Sequence, residues 1–100
     1  MDAENQLNQF EHRFNDSYTK IASILVVFAR SYGKKEGSEI VLDVPLTHKD
    51  IGLLIAAARE TVSVEIKKLE SKKLIEHRGK LLIIKNLKAL EKEALLSENY

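Results

Sequence analysis

Leu46-Thr47-His48-Lys49-Asp50-Ile51-Gly52, running on to Arg59-Glu60-Thr61-Val62-Ser63, decides how this chain is read. Thr47 and Asp50 stand at capping-box spacing, with the hydroxyl able to accept from a first-turn backbone N–H. Aspartate replaces the usual Glu or Gln there, and its negative charge still suits the positive end of a helix. Ile51, Leu54 and Ile55 recur at helical spacing, and Ala56, Ala57 and Ala58 interrupt the pattern before a second amphipathic run opens at Arg59. In that run Val62, Ile66 and Leu69 share one face, while Arg59, Glu60, Ser63 and Lys67 share another. The spacing predicts two short helices about a tight turn, one bracing and one exposed. That is helix-turn-helix patterning, in which the second helix enters the major groove of DNA.

The residues that follow extend the pattern. Helical periodicity stops after Leu69-Glu70-Ser71-Lys72-Lys73, and Leu74-Ile75-Glu76-His77 leads through Arg78-Gly79-Lys80 to Leu81-Leu82-Ile83-Ile84-Lys85. Two short apolar strands around a Gly-containing turn predict a β-hairpin over residues 74–85. Its basic tip suits a wing lying along a phosphate backbone.

On these residues the segment from about Tyr18 to Leu90 resembles the C-terminal winged-helix domain of the CRP/FNR family, the cyclic-AMP receptor protein and its relatives. The matching pieces are Leu46-Thr47 with Asp50-Ile51, then Arg59-Glu60-Thr61-Val62-Ser63. Lys68-Leu69-Glu70, Leu74-Ile75, Arg78-Gly79-Lys80 and Ile83-Ile84 before Asn86-Leu87 complete the set. No piece is diagnostic alone; their order and spacing carry the resemblance. The expected fold is α+β and mainly α, a winged helix-turn-helix with a small antiparallel hairpin wing and an N-terminal dimerisation-helix stub. The domain division is then a stub over 1–15, the winged helix over 16–96 and a tail over 97–100.

Composition narrows the function classes. At 100 residues the chain is one small domain. A 44% hydrophobic and 31% charged composition separates it from disordered chains. The absence of cysteine excludes disulfides, thiol redox chemistry and thiolate metal sites. The longest apolar run, Ile24 to Ala29, is too short to span a bilayer, and Met1-Asp2-Ala3-Glu4-Asn5 does not resemble a signal peptide. A cytoplasmic protein without a membrane partner is expected.

The net charge of +1 hides a strong asymmetry. Arg59 to Lys85 holds eight basic and four acidic residues, so +4, against −2 for residues 1–20, zero for 21–58 and −1 for 86–100. In isolation Lys67, Lys68, Lys72 and Lys73 would read as a solvated helix face. Their coincidence with the helix-turn-helix and the hairpin favours a nucleic-acid surface.

The remaining segments supply the frame. Leu7, Phe10 and Phe14 recur at three and four in a polar background, a helical seam. Asp16 or Ser17 suits an N-cap for a helix of about Ser17 to Tyr32, burying Ile21, Leu25, Phe28 and Tyr32 with Ile24 and Val27 nearby. Residues 33–38 read as a loop. Ile40, Leu42 and Val44 alternate as a strand ended by Pro45, and Asn86 caps a last helix carrying Leu87, Leu90, Ala94 and Leu95. The resemblance makes residues 3–15 the end of a long dimerisation helix, with Leu7, Phe10 and Phe14 at a homodimer interface that is weak in isolation. The effector-sensing domain of the family is absent, so no cofactor is expected in this chain. Because so short a stub would bury its three apolar residues poorly, an excised domain is expected rather than a natural regulator without a sensor.

Arg59 leads the candidates for base readout, since a guanidinium fork matches the O6 and N7 acceptors of guanine. Glu60 can accept from a cytosine amino group or hold the Arg59 fork. Thr61 and Thr47 suit phosphate contacts, as do His48 and Lys49 in the first turn of the bracing helix and Arg78, Gly79 and Lys80 at the wing tip. Ser63 suits a base or phosphate, and Lys67 a phosphate. Three positions depart from the family pattern. Val64 stands where an Arg often follows the Ser, and would either touch a thymine methyl or face solvent. Ala56 replaces a turn Gly and is strained if φ is positive there. Ala58 replaces a Ser or Thr N-cap, with a loss of about 1 kcal/mol. His12, His48 and His77 lack metal-ligand spacing, and no nucleophile stands beside a base in sequence, so no metal site and no enzyme are expected. The sequence therefore points to sequence-specific binding of double-stranded, palindromic DNA by a dimeric bacterial-type transcription regulator that also meets RNA polymerase in its full-length context. The alternative is a winged helix that binds an acidic protein through its basic face.

Overall fold

The computed structural model describes residues 17–44 and 46–95, so the predicted seam at Leu7, Phe10 and Phe14, along with His12 and Pro45, lies outside the described residues. Four helices and a four-stranded antiparallel sheet follow in the order α1 (Ser17–Tyr32), β1 (Gly33–Glu36), β2 (Glu39–Leu42), α2 (His48–Ile55), α3 (Arg59–Ser71), β3 (Ile75–Arg78), β4 (Leu81–Ile84) and α4 (Leu87–Leu95). The sheet order is β1-β2-β4-β3, with the β3–β4 hairpin as the wing.

The core lies where α1, α3 and α4 meet one face of the sheet. Period-two alternation sends Leu42, Ile75, Leu82 and Ile84 inward to join Ile21, Leu25, Val62, Ile66, Leu69 and Leu90, all buried. The partial seam of α1 differs from the sequence expectation. Ile21 and Leu25 are fully buried, but their companions are Tyr18, Ala22, Val26 and Ala29, while Phe28 is half-buried and Tyr32 and Val27 are exposed. Small residues on the inner stripe let neighbouring elements approach closely, and the bulky Phe28 and Tyr32 rings pack on each other at its margin, 5.6 Å between centroids.

Residues 33–36, read as loop, form an edge strand paired with β2 from Gly33↔Leu42 to Glu36↔Glu39. Lys34, Lys35 and Glu36 are exposed and offer no alternation, so the strand exists through its ladder and through Gly37, whose φ of +65° makes the hairpin turn. The expected strand through Val44 ends instead at Leu42; Val44 packs on the core from the following loop.

The opposite face of the sheet is covered as well. Val41 and Ile83, register partners on that face, are buried. The same alternation puts Glu39, Glu76 and Arg78 beside them. Arg78 contacts Glu76 at 2.7 Å and Glu39 at 3.1 Å, and Lys85 contacts Glu39 at 2.6 Å and Glu76 at 3.3 Å. We read these four long side chains as a roof whose aliphatic stems shield the two apolar residues.

Candidate nucleic-acid interface

The start of α2 is built as its sequence predicts. The Thr47 hydroxyl accepts from the Asp50 N–H at 3.0 Å, and the Asp50 carboxylate accepts from the Thr47 N–H at 3.0 Å. Hydrogen bonds to the carboxylate from the Thr47 backbone N–H and then from the Thr47 side chain hold the Asp50 carboxyl below its ordinary value. Ile51 and Gly52 are the buried residues of α2; Leu54, at helical spacing from Ile51, is exposed. Gly52 is a positional requirement that its sequence context did not reveal. A Cβ there would lie 2.5 Å from the Ala57 carbonyl oxygen, because the turn folds directly back over it. Ala56 does adopt the left-handed conformation, φ 58° and ψ 47°, at the end of α2. Ala58 begins α3 with no side-chain cap.

On α3, Val62, Ile66 and Leu69 are buried, and Arg59, Glu60, Val64 and Lys67 are exposed. Thr61 and Ser63 are half-buried beside them. Arg59 and Glu60 form no ion pair with each other. The basic run divides into two kinds. Lys68 pairs with Glu65 one turn away at 3.1 Å. Lys72 pairs with Glu93 of α4 at 2.8 Å and lies 4.7 Å over the Tyr18 ring of α1. The Tyr18 hydroxyl also donates to Glu93, so the end of α3 is clasped to the first and last described helices. Hydrogen bonds donated to Glu93 and then to Tyr18 push the Lys72 ammonium above its usual range. By contrast Lys49, Arg59, Lys67, Lys73 and Lys80 make no ion pair among the described residues. Lys73 continues the chain past α3 with φ 60°; its N–H donates to Glu70 and that of Leu74 to Leu69, a Schellman closure made without glycine.

The wing tip is Gly79, φ +62°, and Lys80, both exposed. Arg78 is at the same tip but is occupied by the carboxylates of Glu76 and Glu39. The two described histidines, distant in sequence, come together between α2 and the wing, 5.9 Å apart ring to ring. His48 Nδ1 lies 2.8 Å from Ser63 Oγ, and His77 Nδ1 lies 2.7 Å from Glu70 Oε2. A hydroxyl thus stands beside an imidazole in space though not in sequence, because α2 lays its first turn across α3. Among the described residues no group of three or more His, Cys, Asp or Glu could hold a metal. No described helix is long and apolar enough to cross a membrane.

A braced, outward-facing helix followed by a basic hairpin defines the winged helix-turn-helix class of DNA-binding domains. The sequence matches the Crp-like helix-turn-helix domain model over residues 19–93, and the chain belongs to that family, which supplies the DNA-binding domain of CRP/FNR transcription regulators. Oxidised CprK in complex with o-chlorophenolacetic acid is similar with a TM-score of 0.80 and 23% identity, over 98% of this chain and 40% of that one. The CO-dependent transcription factor CooA from Carboxydothermus hydrogenoformans, in its imidazole-bound form, gives 0.73 and 28% over 81% and 38%. Reduced, ligand-free CprK gives 0.72 and 24% over 78% and 38%. The chain spans about two fifths of the length of these structures. No curated protein matches the sequence.

Proposed function

We propose that this domain reads double-stranded DNA in a sequence-specific manner, with α3 in the major groove and the β3–β4 wing on the backbone. The observation that carries the reading is the division of α3. Its inner face is consumed by the core, while its outer face leaves Arg59 and Lys67 free of ion pairs beside Lys49, Lys73 and Lys80. Arg59 reads a guanine, Glu60 a cytosine amino group, and Val64, 53% exposed, meets the groove as an apolar contact. Thr47, Thr61, Lys49, Lys67, Gly79 and Lys80 meet phosphates. Arg78 serves the shape of the wing first and contributes a partly neutralised charge. Two copies occupy a palindrome with half-sites one helical turn apart. In a longer regulator an effector would bind outside this chain, and RNA polymerase would be met elsewhere on the surface.

Lys49, Lys67 and Lys80 on phosphates, with Lys73 as an available fourth cation, predict that log K for a single domain falls with log salt at a slope of about −3 to −4. Arg59→Ala should weaken the preferred duplex more than random duplex, with about 1–3 kcal/mol of lost discrimination. Lys80→Ala should weaken both alike and flatten the slope by about one. Fluorescence anisotropy on both duplexes across a salt series is the measurement; equal losses for Arg59→Ala would remove it from readout.

One observation favours a second, protein-binding role. Leu53 and Leu54 are 75% and 58% exposed at the end of α2 away from His48, beside a groove lined by Ile24, Ser23 and Ile55. If this were the principal activity, duplex binding would be weak and indifferent to sequence.

A further inference from the structure

We infer that His48 is a positioning residue for Ser63, and that its protonation sets whether the Ser63 hydroxyl meets a base edge as acceptor or as donor. The inference rests on the placement of α3 in the major groove. Its geometric basis is the 2.8 Å contact between His48 Nδ1 and Ser63 Oγ, made across the helix-turn-helix from the first turn of α2 to the outer side of α3. Both residues are half-buried, so the contact is sheltered without being closed to a ligand.

The consequence follows from the inventory of donors and acceptors. A serine hydroxyl has one proton to give and two lone pairs. With a neutral imidazole whose Nε2 keeps its N–H, available to a phosphate, Nδ1 accepts the hydroxyl proton. Ser63 then offers only lone pairs to the groove, which suit the amino groups of adenine N6 or cytosine N4. When the ring is an imidazolium, Nδ1–H donates to Ser63 and the hydroxyl proton turns outward. It then suits guanine O6 and N7 or thymine O4. One side chain thus presents two hydrogen-bond polarities.

The groups facing His48 are named by the same geometry. His77 approaches from β3, with its Nδ1 on Glu70 of α3, and Arg59 stands at the start of α3. Burial first, then His77 and Arg59, hold the His48 imidazole below the usual histidine range, with Glu70 opposing. Phosphates of a bound duplex oppose it as well. The neutral ring is therefore favoured in the free protein at neutral pH, its Nε2–H tautomer being the hydroxyl-accepting one, and the switch lies on the acid side.

The test uses the full chain and a duplex obtained by selection from a randomised pool, together with its single-position variants carrying each base pair. At pH 8 the wild type should favour adenine or cytosine at one position per half-site by about two- to tenfold, the value of one neutral hydrogen bond. That preference should shrink or invert toward guanine or thymine at acid pH. A general gain of affinity from the new positive charge would raise all duplexes alike and is separable from this effect. Ser63→Ala should abolish the preference at both pH values. His48→Gln should remove its pH response, and His77→Gln should keep the preference at pH 8 and move the crossover upward. Melting curves at both pH values establish that each variant is folded, and His48→Ala provides a second substitution should His48→Gln be unfolded. A wild-type preference identical at both pH values, or a pH response surviving in His48→Gln, overturns the inference while leaving DNA reading intact. Absence of any base preference, with all duplexes bound equally, overturns the DNA-reading function itself and this inference with it.

Discussion

Among the described residues two that are not glycine occupy left-handed backbone, Ala56 at φ 58° and Lys73 at φ 60°, each where one element must end and reverse. A Cβ in that region costs about 1–2 kcal/mol, and both helices close through it with good hydrogen bonds rather than by relaxing the strain. Ala56→Gly and Lys73→Gly are each expected to stabilise the domain by about 1 kcal/mol, the strain removed exceeding the extra entropy that glycine gives the unfolded chain. They should differ in function. Ala56→Gly leaves the charge unchanged, while Lys73→Gly removes a cation that makes no ion pair and should flatten the salt slope of duplex binding. Gly52→Ala should act in the opposite sense and destabilise by about 1–3 kcal/mol, since the Ala57 carbonyl must be displaced. Urea unfolding of the three variants checks all of these, and a neutral Gly52→Ala would show that the turn is plastic.

Among the elements, those with periodic apolar content were legible and those held by other means were not. The capping box at Thr47, the buried face of α3, the wing and the Asn86 cap, whose Oδ1 accepts from the Ala89 N–H at 3.1 Å, all follow from local spacing. The Lys-Lys-Glu sequence of β1 carries no alternation to reveal it, and the bulk of Tyr32 misleads because Ala22, Val26 and Ala29 complete the inner stripe of α1 in place of Phe28 and Tyr32. The Ser63–His48 contact and the Lys72–Glu93 clasp join residues separated by 15 and 21 positions, beyond any local pattern. The roof over Val41 and Ile83 was equally hidden, and it has an acid signature. Hydrogen bonds from Lys85 and Arg78 lower Glu39, and those from Arg78 and Lys85 lower Glu76. A carboxylate depressed in the folded state contributes stability above its unfolded value and loses it as pH falls through the folded one. Stability measured by urea unfolding should therefore fall below about pH 4, the ordinary carboxylate range. The decline should be shallower when Glu39→Gln and Glu76→Gln are combined; an unchanged slope would place the acid sensitivity elsewhere.

On the scale of the whole molecule, the first and last described helices close the fold on each other. Tyr18 of α1 reaches Glu93 of α4, and Arg30 reaches Glu91 at 2.6 Å, with Leu90 and Ala94 between them in the core. The described residues thereby close their core without help from a second copy, and the dimer contact expected from the resemblance falls on residues outside them. The sequence spacing of Leu7, Phe10 and Phe14 covers only about two turns' length of apolar seam, a length at which a helix is marginal without a partner. The isolated chain is expected to exchange between monomer and dimer at micromolar concentration, with a palindromic duplex supplying most of the coupling. Sedimentation equilibrium is the measurement, and a tight dimer at nanomolar concentration that Phe14→Asp abolishes would show that the seam suffices alone.

Among the described residues the sheet that carries the wing pairs no further strand beyond β1 and β3, its outer strands. Each outer strand is only four residues long, and each bears charge, Lys34, Lys35 and Glu36 on one side and Glu76 and Arg78 on the other. Copies crowded side by side along a nucleic acid would bring such margins within reach of one another at high local concentration. An uncharged margin would invite continuous strand addition from copy to copy. Like-charged lysines on so short a strand as β1 make joining two such margins unfavourable, so copies can stand with these margins close without pairing them.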